Sequence, residues 1–285
     1  MDENSFSTAR KIAECAIMIA LATILSILEV VKLPYGGGIT LASMLPLVVI
    51  GYRHGTKWGL TSSFVFGAIS LVLGLNTLSY VTGVASVIAV IMLDYIVAFG
   101  VIGLSGFARK MQPQSKSLII GGLIACFARY TCHVISGATV WAGLSIPTAA
   151  ALYYSIIYNA TYMLPETLIL VVVAYYFGSS FDLKSYMPRP MIKNRNNTPQ
   201  AVTVMKFISL TICFAALVID IVSVFSKLQN AETGEFDITG IANVNLPLIL
   251  IASGIALVVF SAYLILYFVT KKNNSPAENT EEEST

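Results

Sequence analysis

Long apolar runs, separated by short polar stretches, dominate the chain of 285 residues. A helix needs about 20 mostly apolar residues to cross a bilayer. Strict alternation of apolar and polar positions, which membrane barrel strands show, is absent. The pattern therefore predicts an all-α, polytopic membrane bundle. We place its eight helices at about residues 10–31, 39–52, 58–75, 83–108, 117–142, 147–177, 201–225 and 246–269.

The second of these apolar runs is short, so we expect a tilted or partly interfacial helix there. Helices one to six hold nearly all of the polar residues within apolar runs, which predicts a six-helix functional core over residues 1–177. A polar linker at 178–200 leads to a two-helix C-terminal appendix at 201–270. Residues 271–285 have almost nothing apolar to bury, and we interpret them as a disordered acidic tail.

Composition narrows the class of protein further. Charged residues make up 11% of the chain, against about 25% in soluble domains. This scarcity excludes a cytosolic enzyme and a disordered protein, and a net charge of +2 offers no basic surface for nucleic acid. The four cysteines lie in apolar runs without a CxxC pair, which favours a packing role.

The distribution of basic residues predicts the orientation. Fourteen of the 17 lysines and arginines fall on one predicted face, and two, Lys32 and Lys227, fall on the other. Arg129 lies inside a helix. Because cytoplasmic loops carry the excess of positive charge, we expect both termini in the cytoplasm.

Polar residues within the apolar runs are functional candidates, because a charge at the bilayer centre costs at least ~2.5–3.5 kcal/mol. Depths counted at ~1.5 Å per residue place several candidates in one layer between the outer face and the midplane. They are Asp94, Tyr95, His133, Tyr154 and Asn159. Glu166 and Asp220 are further acids in apolar runs, to which the sequence assigns no role.

A stripe along helix five recurs every four residues: Arg129, His133, Gly137 and Trp141. The glycine opens a notch between an imidazole and an indole where a flat ring fits, although close helix packing is the alternative interpretation. On helix six, Tyr154 and Asn159 are ~140° apart, so one ligand contacts both only if the pocket wraps the helix or the helix is irregular. Tyr158 and Tyr162 are interpreted as packing residues. Aromatic faces, a carboxylate, an imidazole and an amide together predict a small, flat, polar, cationic ligand.

Four segments carry a family resemblance: LPYGGGITLASMLPLVVIGYRHG from Leu33, LDYIVAFGVIGLSG from Leu93, ARYTCHVISGATVWAG from Ala128 and YYSIIYNATYMLPE from Tyr153. The third has a His-x3-Gly-x3-Trp spacing, and the fourth has Tyr followed five residues later by Asn. In these features the chain resembles the thiamine-specific substrate-binding (S) components of energy-coupling factor (ECF) vitamin transporters. The resemblance covers about residues 10–177 and implies nothing about helices seven and eight.

The resemblance implies a set of thiamine-binding positions and no metal or other cofactor. Asp94 stands where the family usually has glutamate, so this acid is one carbon shorter. Tyr35 stands where an aromatic residue, often tryptophan, closes over the ligand. The implied substrate-binding residues are Tyr35, Asp94, Tyr95, His133, Gly137, Trp141, Tyr154 and Asn159.

The resemblance also implies partners. The chain has no G-x4-G-K-[ST] phosphate loop and is therefore not itself an ATPase. An S component works with a transmembrane coupling protein and two ATPase subunits, and it docks through small residues on its first helix. The matching strip here is Ala9, Ala13, Ala16 and Ala20, for which packing inside the bundle is the alternative.

Three other functions remain open at this point. An S component for another flat vitamin, such as riboflavin or a pyrimidine precursor, would use a similar pocket. A stand-alone transporter, channel or sensor is a second possibility, which the lack of an evident inverted repeat weakens. A membrane enzyme is a third, but the sequence has no HExxH motif, Ser-His-Asp candidate or paired carboxylates on one helix face.

Overall fold

The structure, a computed structural model, describes residues 7–33, 36–140, 148–191, 200–228 and 238–273. Its helices are α1 (Thr8–Ile27), α2 (Leu45–His54), α3 (Thr56–Leu73), α4 (Val84–Lys110), α5 (Gln114–Thr139), α6 (Ala149–Ser180), α7 (Gln200–Phe225) and α8 (Leu246–Asn273). Two short antiparallel strand pairs join β1 (Glu29–Lys32) to β2 (Gly38–Thr40) and β3 (Phe181–Asp182) to β4 (Arg189–Pro190). Helices dominate, which confirms the all-α membrane bundle.

Six of the described helices, α3 to α8, are long and apolar enough to cross a bilayer. The other two, α1 and α2, do not meet these criteria, although the sequence predicted eight membrane helices. α2 has ten residues and rises only about 15 Å, half the thickness of a bilayer core. α1 has 20 residues, but Arg10, Lys11 and Glu14 make its first two turns polar.

The β1–β2 hairpin is the main departure from the predicted elements. The apolar pattern predicted helix through residue 31 and again from residue 39, whereas α1 ends at Ile27 and α2 begins at Leu45. Val30 and Val31 are β-branched and sit between two charged residues, an arrangement that favours an extended chain over a helix. Because the hairpin is so short, it left no strand signal in the hydropathy pattern.

One end of the bundle is held together by ion pairs around Glu14 of α1. Its carboxylate lies 2.8 Å from Arg10 Nε, 2.9 Å from Arg53 Nη2 and 2.9 Å from His54 Nε2. Arg53 also donates to the carbonyl of Leu183, just beyond α6. The beginning of α1, the end of α2 and the end of α6 therefore meet at one end of the bundle.

Further basic residues lie at this same end. Arg109 Nη2, at the end of α4, is 3.5 Å from the carbonyl oxygen of Arg53. The ammonium group of Lys184 lies 5.4 Å from the ring centroid of Tyr52 in α2. We call this group, Arg10, Arg53, Arg109 and Lys184, the basic end. Since α1 starts here and leads into the β1–β2 hairpin, the hairpin lies toward the opposite end.

Glycines let the helices of this bundle approach closely. A Cβ atom on Gly59 of α3 would lie 2.9 Å from the carbonyl oxygen of Gly103 in α4, closer than real Cβ contacts allow. α5 and α6 make the most extensive helix pair in the described chain. A Cβ atom on Gly178 of α6 would lie 2.6 Å from Ser115 Cα of α5, so that pair also depends on a glycine.

The middle of α4 is a π-helical stretch, Ile91–Val97, with Asp94 buried within it. A π turn holds one extra residue and occurs often at functional sites. It changes the direction in which the following side chains point, compared with a regular α-helix. The regular periodicity assumed from the sequence did not predict this feature.

The chain divides into two compact units, the described residues of Met1–Met191 with Phe225–Asn243 and those of Ile192–Val224 with Val244–Thr285. The second unit holds most of α7 and all of α8. Within it, Ser253 Oγ donates to Asp220 Oδ2 at 2.6 Å. This hydrogen bond satisfies one oxygen of the acid within the apolar run. The predicted disordered tail, apart from its first three residues, lies outside the described residues.

Candidate ligand-binding site

A cavity of about 570 Å³ lies within the first unit. This volume falls within the range of about 300–1,000 Å³ that is usual for small-molecule sites. The walls come from the segment before β2, the turn after α3, and helices α4, α5 and α6. Six of the eight predicted substrate-binding residues line it together: Asp94, Tyr95, His133, Gly137, Tyr154 and Asn159.

The other two predicted substrate-binding residues, Tyr35 and Trp141, lie outside the described residues. Gly36, which follows Tyr35 in the sequence, lines the cavity. The convergence of the six described residues is a structural finding. Their contact with a substrate stays a prediction.

The acid at the cavity is held by two donors on α5. His133 Nδ1 lies 2.7 Å from Asp94 Oδ1, and Ser136 Oγ donates to Asp94 Oδ2 at 2.6 Å. Asp94 itself is buried, with 8% of its surface exposed. Hydrogen bonds to both oxygens stabilise the ionised carboxylate where water is scarce.

Arg129 determines which ring nitrogen of His133 carries the proton. Its Nε lies 3.3 Å from His133 Nε2, and a guanidinium group can only donate. Nε2 of His133 must therefore accept, which leaves the single ring proton on Nδ1, directed at Asp94. The pattern of partners thus assigns a neutral histidine beside an ionised aspartate.

A second buried ion pair lies directly behind this wall. Arg129 Nη1 is 3.1 Å from Glu166 Oε2, and Glu166 is 1% exposed. Thr40 Oγ1, at the end of β2, donates to Glu166 Oε1 at 2.6 Å. The Arg129 guanidinium also lies 4.6 Å above the ring centroid of Phe99. The pair thereby joins α5, α6, α4 and the β1–β2 hairpin.

The sequence showed Glu166 and Arg129 as isolated charges and assigned Glu166 no role. A signal was available, because each of two buried charges in a bilayer is costly and the cost falls when they pair. Lining residues outside the predicted set include Gly36, Thr77, Tyr80, Phe99, Tyr158 and Tyr162. Most are aromatic or small, and in a membrane helix such residues are also the usual packing residues.

Tyrosines of α6 form an aromatic wall. The rings of Tyr154 and Tyr158 are nearly parallel, at 10° with centroids 6.0 Å apart, and Tyr162 meets Tyr158 edge-on at 70°. Tyr162 Oη donates to Asn159 Oδ1 at 2.6 Å, which orients the amide. The cavity therefore wraps part of α6, which is how Tyr154 and Asn159 both line it. The interpretation of Tyr158 and Tyr162 as packing residues left out their place in this wall.

Gly137 both lines the cavity and lets two helices pack closely, which are the two interpretations that the sequence left open. It lines the cavity, and a Cβ atom there would lie 3.2 Å from Ser155 Cβ and closer still to Ser155 Oγ. Ser155 in turn donates to the carbonyl oxygen of Val134 at 2.9 Å. The close approach of α5 and α6 therefore occurs at the cavity wall itself.

The described lining residues, taken together with Glu166 behind them, leave one negative charge in excess. Among the described lining residues, Asp94 and Arg129 carry formal charges, and His133 is neutral by its hydrogen bonds. Glu166 behind the wall cancels Arg129. Two carboxylates thus face one guanidinium. In a low-dielectric site, such an excess attracts a cation strongly.

The predicted docking strip lies on the surface of α1 in the described structure, where Ala9, Ala13, Ala16 and Ala20 are all exposed. Their role in docking stays a prediction. Within the described ranges, no group of three or more histidine, cysteine, aspartate or glutamate residues is arranged to hold a metal ion.

Comparison with known proteins identifies the family. The family model described as "Thiamine transporter protein (Thia_YuaJ)" matches residues 12–184. The chain belongs to this family. The match includes every described residue of the cavity and ends before α7. This membership confirms the resemblance found in the sequence.

The comparisons also found individual proteins to which this chain is similar. The thiamine transporter ThiT of Bacillus subtilis (strain 168) is 35% identical over 175 residues, which cover 57% of this chain and 87% of the relative. A solved structure of ThiT from Listeria monocytogenes is 24% identical, with a TM-score of 0.48, covering 59% of this chain and 92% of that one.

Proposed function

We propose that this protein is the thiamine-binding S component of an ECF uptake transporter. The observation that carries the proposal is the excess negative charge at Asp94, within a cavity walled by tyrosines. Thiamine is a flat aromatic cation with a second, hydrogen-bonding ring. It therefore matches the charge, the shape and the polar groups of the cavity at once.

The proposed binding mode assigns separate tasks to the walls. The rings of Tyr154 and Tyr158 offer stacking faces for the heterocycles. Asp94 supplies the countercharge to the cation, and Asn159 presents an oriented amide to a polar ring edge. The usual family acid is glutamate, so the shorter Asp94 draws the ligand closer to α4. Tyr35 and Trp141 keep their proposed places as closing and stacking residues.

The charge of the cavity also separates thiamine from the alternative vitamins. Riboflavin and neutral pyrimidine precursors are flat, but they bring no positive charge to Asp94. A neutral ligand would gain no charge attraction from the carboxylate of Asp94, whereas a cation would gain it in a low-dielectric site. The cavity therefore favours the cation among the candidate ligands.

Energy for uptake is proposed to come from partners. We propose a transmembrane coupling protein and two ATPase subunits, docked on the exposed strip of Ala9, Ala13, Ala16 and Ala20. The six-helix part is the binding core in this proposal, and the C-terminal pair of helices is an appendix. Both termini lie in the cytoplasm, with the basic end inside and the cavity toward the outer face.

Ligand binding to the purified full chain tests this function. The chain has two tryptophans, Trp58 and Trp141, so the variant Trp58→Phe leaves one reporter in the proposed site. We expect thiamine to quench its fluorescence at micromolar concentration or below, and riboflavin and neutral pyrimidines not to do so. Isothermal titration of the unmodified chain provides the control that is independent of tryptophan. Quenching by riboflavin but not by thiamine contradicts the proposal.

A further inference from the structure

We propose that Glu166 sets the charge selectivity of the cavity: by neutralising Arg129, it makes the site favour the free cation over phosphate esters of the same ligand. This inference rests on the proposed function and adds a determinant of substrate class. Glu166 acts through Arg129 and is therefore a positioning residue. It lies behind the wall and does not line the cavity.

The first step concerns Arg129, which does line the cavity. A guanidinium group is the side chain best suited to bind a phosphate group, through paired N–H donors. An Arg129 directed at the ligand would therefore favour phosphorylated compounds. In the structure two of its nitrogens are engaged elsewhere, Nε with His133 and Nη1 with Glu166.

The second step concerns how firmly Glu166 is held. Its side chain is 1% exposed, with one oxygen on Arg129 and the other accepting from Thr40. Thr40 and Ser43, which also hydrogen-bond to each other at 2.7 Å, are themselves buried. A carboxylate fixed in this way cannot move away from Arg129 when a ligand arrives. The neutralisation of Arg129 is therefore built into the unliganded protein.

The third step is the charge balance that the ligand meets. With Glu166 ionised, the cavity carries one negative charge, which attracts a cation. With Glu166 replaced by glutamine, Asp94 and Arg129 cancel each other, and Arg129 gains freedom to turn toward the ligand. A cation then loses attraction, whereas a phosphate ester gains a partner. The two ligands are expected to respond in opposite directions.

The experiment compares thiamine with thiamine monophosphate by isothermal titration, using the full chain in nanodiscs at fixed salt concentration. For Glu166→Gln we expect thiamine affinity to fall about 10- to 100-fold, because the cavity loses the net negative charge that attracts the cation. The ratio of thiamine to monophosphate affinity should fall at least as much. Glu166→Asp keeps the charge and should keep the ratio. Asp220→Asn removes an acid from an apolar run of the second unit and should change neither affinity.

The double variant Arg129→Gln/Glu166→Gln restores the net charge of the original cavity. Its ratio of thiamine to monophosphate affinity should return to within about threefold of the ratio of the unmodified chain, even if both affinities are lower. This variant also keeps the test decisive if Glu166→Gln alone fails to fold, because it removes both buried charges together. A double variant whose ratio stays tenfold lower then overturns the proposal.

The outcomes separate this inference from the proposed function. Suppose that the unmodified chain binds thiamine and that Glu166→Gln leaves the ratio of thiamine to monophosphate affinity unchanged. The inference is then wrong, and the proposed function stands. If the unmodified chain does not bind thiamine at all, the proposed function fails first. A lower affinity for both ligands by the same factor would show a purely structural role for Glu166, and would also overturn the inference.

Discussion

At the residue scale, the site depends on keeping a carboxylate ionised in an apolar bundle. Asp94 achieves this with two hydrogen bonds from α5, one from an imidazole and one from a hydroxyl. The imidazole can donate because Arg129 occupies its other nitrogen. A chain of donors thus runs from Arg129 through His133 to Asp94. Each member fixes the protonation or orientation of the next.

Replacement of Asp94 by asparagine tests the importance of its charge. Asparagine has nearly the same shape and can still accept one of the two hydrogen bonds, so the fold should persist. We expect thiamine affinity to fall about 30- to 100-fold, because the countercharge is lost. Titration calorimetry measures this directly. Asp182→Asn, at the basic end, is the matched control and should bind as the unmodified chain does; equal affinity of both variants would refute the role of Asp94.

At the element scale, the close contact of α5 with α6 shapes the cavity. Gly137 lies against Ser155, and Ser155 Oγ in turn contacts Asn159 Nδ2 at 3.2 Å. Asn159 accepts from Tyr162. A displacement of α6 at Ser155 would therefore reach the oriented amide and the aromatic wall together.

Gly137→Ala tests this coupling. The added methyl group would meet Ser155 at a distance that forces one helix to shift, and we expect thiamine affinity to fall about tenfold or more. The melting temperature should also fall by a few degrees, in the range that about 1 kcal/mol produces. Gly254→Ala on α8 is the matched control, because a Cβ atom there meets nothing within 4 Å. Normal binding by Gly137→Ala would contradict the proposed coupling.

The sequence predicted most of the long helices, because an apolar run is a local property. Asp94, His133 and Asn159 were placed in one layer by counting, and the structure brings them to one cavity. The β1–β2 hairpin was not predicted because it is too short to leave a strand signal in the hydropathy pattern, and the π turn because regular helical periodicity was assumed. The pairing of Arg129 with Glu166 has no spacing signature, so its signal in the sequence was the cost of two unpaired charges in a bilayer.

At the scale of the whole molecule, the first unit is polar at one end and holds its cavity toward the other. Basic side chains from α1, α2, α4 and the segment after α6 gather at the basic end. The cavity instead uses Gly36 before β2 and Ala150 at the start of α6. This polarity agrees with the proposed function, in which substrate enters on one face and partners act from the other.

The family match covers this polarised unit and stops at residue 184. α7 and α8 follow the matched region. Between these two helices, the hydroxyl of Ser253 donates a hydrogen bond to the carboxylate of Asp220. No residue of either helix lines the described cavity. The described cavity is therefore contained in the part of the chain that the family shares.

Ala16→Trp tests the docking surface on α1. Ala16 is exposed and lies in the strip of small residues, so a large ring there should obstruct a partner helix without reaching the cavity. We expect ATP-dependent thiamine uptake by cells to fall at least tenfold, while thiamine affinity of the purified chain, measured by calorimetry, stays within about twofold. Leu250→Trp, at an apolar position of α8 with 71% exposure, is the matched control and should leave uptake intact. Loss of binding together with uptake in Ala16→Trp would instead place this residue in the architecture of the site, and normal uptake would exclude the strip as the docking surface.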